Sequence, residues 1–131
     1  MVLTIMAATV LSAGVCGYHL IYGKRVLLAP LLKANVSQQS KQMLLCLFHC
    51  QSVFFVVSTV ALLACALKVI PGMYAFSLLL FLGMNYGIFA IWQFYIATLS
   101  PPNSGQMIIV QALIFLLIGI LAMLGPLLSA A

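Results

Sequence analysis

The 131-residue chain contains no aspartate and no glutamate. Its charged side chains are five lysines and arginines, 4% of the sequence, where a soluble domain carries about 25%. The missing carboxylates exclude paired-carboxylate acid/base catalysis, a Ser-His-Asp triad, carboxylate cages for Mg²⁺ or Ca²⁺, and a carboxylate proton relay. No catalytic set is read, and an enzyme is not expected. A net charge of +5 is too sparse to indicate nucleic-acid binding. So few charges also could not cover the surface of a soluble fold. What is present instead is apolar: 66% of residues are hydrophobic, arranged in long runs. That combination marks an integral membrane protein.

Four runs are each long enough to cross a hydrocarbon core about 30 Å thick at about 1.5 Å per residue. They cover about residues 2–22, 42–67, 73–99 and 107–128. In lipid only helices and closed barrels satisfy the backbone, and these runs lack the alternation of a barrel. The expected fold is all-α: one domain, an antiparallel bundle of four transmembrane helices spanning residues 1–131. Pro71-Gly72 and Pro101-Pro102-Asn103 supply short turns that reverse the chain. The first run has no basic leader and no small-x-small cleavage site, so it reads as an anchor and not as a cleaved signal.

The connection over residues 23–41 holds Lys24, Arg25, Lys33 and Lys41, whereas the turn after the second run holds only Lys68. This bias puts the first connection in the cytoplasm and both termini on the other side. Within it, "VLLAPLLK" (residues 26–33) is apolar but too short to span. Lying in the interface, with Pro30 bending it, and packing under the bundle as a loop are equally good readings. Asn35-Val36-Ser37 matches a glycosylation sequon that would be inert on the cytoplasmic face.

Polar residues in the spans fall on stripes. Thr9, Ser12, Cys16 and His19 share one helical face, and Gln42, Cys46, His49, Ser52 and Thr59 form a similar row on the second span. Unsatisfied polar groups cost several kcal/mol in lipid, so such rows should face protein, and two consecutive helices with matching rows should face each other. His19 and His49 lie about 5 and 10 Å inside the cytoplasmic boundary. Tyr18, Gln51, Gln93, Tyr95 and Gln111 fall at similar depth, giving one expected polar cluster. Ala13-xxx-Gly17 and Gly83-xxx-Gly87 have the small-xxx-small spacing that lets helices approach closely. Asn85 is expected to bond between helices.

Three readings of the cluster stay open. Cys16, His19, Cys46, His49 and Cys50 could ligate a soft metal, copper or zinc, with ligands three or four residues apart on one helix face. His19 and His49 could instead hold a b-type haem, with Arg25 and Lys24 toward its propionates; a quinone pocket of His, Gln and Tyr looks the same in sequence. In the third reading the histidines bond between helices, the cysteines pack and no cofactor binds. The protein is then an accessory or structural subunit that works through its outer face, with "FLGMNYGIFAIW" (residues 81–92) as the docking surface and Trp92, Phe94 and Tyr95 as interfacial anchors.

The segment "GYHLIYGKRVLLAPLL", a polar linker and "LFHCQSVFFVVS" together resemble a loose group of small bacterial four-helix inner-membrane proteins. His19, Gly23, Arg25, Pro30 and His49 match that pattern over about residues 14–60. Lys24 stands where the group has Glu, and Phe48 where it has Trp. The resemblance implies a bacterial inner-membrane location and one site shared by the two histidines; it implies no substrate. The lost Glu puts a charge-paired role in doubt. The expected partners are the lipid bilayer and other membrane-protein subunits.

Overall fold

The computed structural model describes residues 2–130, with side chains through residue 128. Every regular element among the described residues is helical. In chain order these are α1 (Val2–Tyr18), a π-helical segment (His19–Leu28), α2 (Ala29–Lys33), α3 (Gln38–Ala66), α4 (Gly72–Leu99) and α5 (Pro102–Ala130). Four stretches are long and apolar enough to cross a membrane: Val2–Lys33, Gln38–Ala66, Gly72–Leu99 and Pro102–Leu128. They match the four runs read from the sequence, each extended at one end or both.

The first stretch departs most from expectation. The connection expected over residues 23–41 is helical as far as Lys33, and α3 already begins at Gln38, so residues 34–37 alone join them. Pro30 does not end the helix because it sits in the first turn of α2, where a missing N–H is tolerated. Just before it, the Ala29 N–H bonds to the Lys24 carbonyl five residues back. This wider register replaces the four-residue ladder that a proline would clash with. It also shifts the helix phase: inward positions step by four from His19 to Gly23, then by five to Leu28.

The ends of α3 explain its limits. Ser37, the serine of the sequon, caps the start: its Oγ accepts the Ser40 N–H at 3.2 Å, as an N-cap should. At the far end Lys68 takes the left-handed conformation (φ 57°). The Val69 N–H then reaches the Ala64 carbonyl at 3.0 Å and the Lys68 N–H reaches Cys65 at 3.1 Å, a Schellman ending with lysine where glycine is usual.

The chain divides into two compact units, residues 12–60 and residues 1–11 with 61–131. In the second, α4 packs on α5. A Cβ on Gly83 would collide with Met123 and lie 3.0 Å from the Gly119 carbonyl oxygen; one on Gly119 would lie 2.9 Å from that of Gly83. The two backbones therefore touch where only glycine fits. Beside them the Tyr86 and Phe115 rings, both fully buried, meet edge to face at 5.5 Å. Gly125 packs on Ile5 in the same way: a Cβ there would be 3.0 Å from Ile5 Cγ1. Of the four residues expected at close helix contacts, Gly83 makes one, and the backbone of Gly87 borders it, its N 3.4 Å from where a Cβ on Gly119 would lie. Ala13 is exposed, and a Cβ on Gly17 or Gly87 would meet nothing within 4 Å.

Candidate functional site

Ser12 and His19 of the polar row on the first helix are buried in the 12–60 unit and meet hydroxyls of α3. His19, 6% exposed, places Nε2 3.1 Å from Ser52 Oγ and 3.4 Å from the Phe48 carbonyl oxygen. Ser52 Oγ donates its one proton to that same carbonyl at 2.8 Å. It must therefore accept from His19, which fixes the imidazole proton on Nε2. The ring stacks on Phe48 with centroids 4.4 Å apart and an interplanar angle of 23°, and meets the edge of Phe55 at 5.1 Å. Gly23 lets the Phe48 ring lie flat against the helix: a Cβ there would sit 3.2 Å from Phe48 Cε2.

Seven residues earlier on the first helix and seven later on α3, the arrangement repeats. Ser12 Oγ lies 2.8 Å from Thr59 Oγ1, and Thr59 donates to the Phe55 carbonyl at 2.7 Å. Each rung thus pairs a polar side chain on the first helix with a hydroxyl on α3 that bonds the carbonyl of a buried phenylalanine four residues before it. The repeat is visible in the sequence as Phe48-xxx-Ser52 and Phe55-xxx-Thr59, a signal that polarity alone does not expose because half of it is aromatic. Thr9 completes the row by bonding the Ile5 carbonyl in its own helix at 2.8 Å.

The other expected site residues lie elsewhere. His49 is exposed and touches only the edge of the Phe48 ring, at 5.9 Å, among its described ring contacts. Cys46 and Cys50 are exposed, Cys16 is half-buried, Cys65 is buried, and all four are free thiols. Cys46 and Cys50 lie one turn apart on α3. Among the described residues no three His or Cys side chains come together to hold a metal. With its proton on Nε2 toward Ser52, the His19 ring keeps its lone pair on Nδ1. Arg25 and Lys24 are exposed, and Tyr18 is exposed and stacked on Tyr22 at 4.9 Å.

Gln93 and Gln111 belong to the second unit. Both are half-buried, and Gln93 Oε1 is buried with no hydrogen-bond partner among the described residues. Asn85 bonds to the Phe81 carbonyl of its own helix at 2.8 Å; this intrahelical bond corrects the interhelical one expected.

Two shallow hollows lie on the surface. One, of about 210 Å³, is framed by Leu27, Leu28 and Leu31 on one side and Leu44, Leu47, Phe48 and Gln51 on the other. The second, about 400 Å³, is bordered by Ile91, Trp92 and Tyr95 on α4. The chain matches no protein-family model, no curated protein and no solved structure.

Proposed function

We propose that this chain is a small, non-enzymatic integral membrane protein of the bacterial inner membrane, an accessory or structural subunit of a larger complex. Its four spans form an antiparallel bundle with both termini on the non-cytoplasmic side. The observation that supports this reading is the closed hydrogen bonding of the His19–Ser52 and Ser12–Thr59 rungs. Sites that do chemistry keep a polar atom or an open position for a ligand. Here the buried imidazole proton and the hydroxyl protons of Ser52 and Thr59 are taken up inside the protein. The working surface is then the outside, where α4 presents Phe81, Met84, Ile88, Ile91 and Trp92, all exposed.

The test is purification in mild detergent, followed by a visible spectrum, a metal analysis and native-gel electrophoresis. The expected protein is colourless and metal-free, and it migrates within an assembly that Ile88→Lys disrupts without unfolding the chain. A Soret band lost in His19→Ala and His49→Ala would replace this reading with haem binding. Stoichiometric copper or zinc lost in Cys46→Ser and Cys50→Ser would replace it with metal handling.

A further inference from the structure

We infer that the basic end of the 12–60 unit is a binding site for one anionic phospholipid, with the phosphate among the cations of residues 24–41 and an acyl chain along the neighbouring leucine groove. Two independent observations meet there.

The first is charge. Four of the five basic residues of the chain fall between positions 24 and 41, and none of its 131 residues has a side-chain carboxylate. Lys24, Arg25 and Lys33 are exposed and Lys41 is partly so. No acidic side chain of this sequence can neutralise them, so the counter-charge comes from outside. No side-chain carboxylate of this chain competes for them, and all four cations remain available.

The second is shape. The groove framed by Leu31 on one side and Leu44 on the other lies within one helical turn of these cations in sequence. Lys24 precedes Leu28 by four residues, Lys33 follows Leu31 by two, and Lys41 precedes Leu44 by three. The groove exists because the π segment carries the helix on to Lys33 and turns Leu27, Leu28 and Leu31 to one side. Its wall is aliphatic except for Phe48 and Gln51. A soluble anion would use the cations and leave the groove empty; an apolar peptide would fill the groove and leave the cations unpaired. A phospholipid has both parts, a phosphate joined to a hydrocarbon chain, and it surrounds any protein embedded in a bilayer. A basic side chain near an anionic membrane surface is worth roughly a fivefold preference, so even two engaged cations give more than tenfold selection.

This inference rests on membrane insertion but not on the accessory-subunit reading, which would survive its failure. The experiment uses the full chain in a zwitterionic detergent and measures binding by native mass spectrometry. The probes are phosphatidylglycerol, phosphatidylcholine with the same acyl chains, and inorganic phosphate as competitor. Phosphatidylglycerol is expected to bind at least tenfold more tightly than phosphatidylcholine. Arg25→Gln with Lys33→Gln should remove most of that preference, and Leu44→Trp, which fills the groove, should weaken both lipids several-fold. Inorganic phosphate should not compete at equal concentration. Equal binding of the two lipids by the native chain would overturn the proposal, whatever the variants do. So would an unchanged preference in the charge variant, unchanged lipid binding in Leu44→Trp, or full competition by phosphate, which would indicate a free-anion site.

Discussion

At the residue scale, the ladder joining the first helix to α3 depends on single protons. Ser52 accepts from His19 while donating to Phe48, so its removal leaves the Nε2 proton with only the longer contact to the Phe48 carbonyl. Hydrogen bonds between membrane helices average about 0.6 kcal/mol and reach about 1.7, and a buried donor left without a good partner lies toward the upper end. Ser52→Ala is therefore expected to cost about 1–2 kcal/mol in unfolding from detergent micelles, with Ser52→Thr recovering most of it. A cost for Ser52→Ala below about 0.3 kcal/mol would mean that the stacked Phe48 ring, and not the hydrogen bond, holds the imidazole. Residue identity was readable in part here. The row Thr9, Ser12, His19 is polar in an apolar helix, and burial follows from that alone. The row on α3 was harder. Cys46 and His49 lie on the outside and Phe48 on the inside, because the interior needed a flat ring to stack on His19. In a lipid-facing helix an aromatic or a thiol is acceptable on either face, so polarity could not decide between them.

At the element scale, the number and order of the long helices match the apolar runs of the sequence. Their limits do not. The polar stretch and Pro30 suggested a loop after residue 22, yet the chain continues in a π register that accommodates the proline, something visible only when the backbone hydrogen bonds are counted. Close packing was half legible. Gly83 was recognisable from its spacing to Gly87, but its true counterpart is Gly119, on the next helix and therefore outside any local motif. This makes a sharp contrast available. Gly119→Ala places a Cβ 2.9 Å from a backbone oxygen, an overpacking that backbone cannot relieve without moving a helix, and is expected to cost about 1–3 kcal/mol. Gly87→Ala, with nothing within 4 Å, is expected to be neutral or slightly stabilising, because alanine favours helix over glycine by about 1 kcal/mol. Equal melting shifts for the two variants would show that α4 and α5 do not meet at these glycines.

At the scale of the whole molecule, the proposed orientation rests on charge. Nothing in the sequence opposes the four cations of residues 24–41, and Lys68 stands alone in the other region between spans. If those cations hold the first connection in the cytoplasm, a periplasm-active reporter fused to the C-terminus should be on and a cytoplasm-active one off. Replacing Lys24, Arg25, Lys33 and Lys41 by glutamine should yield a mixed population of both orientations. A native chain active only with the cytoplasmic reporter would reverse the assigned topology.

The way the rungs are built also bears on the order of assembly. Ser52 and Thr59 each give their proton to a carbonyl of their own helix. Helix α3 can therefore enter a bilayer alone with no hydroxyl proton stranded in hydrocarbon. The Nε2 proton of His19 differs, because its acceptors, Ser52 Oγ and the Phe48 carbonyl, both lie on α3. In the proposed bilayer that imidazole proton is satisfied only once the two helices pair, so the first helix and α3 are expected to insert together as a hairpin.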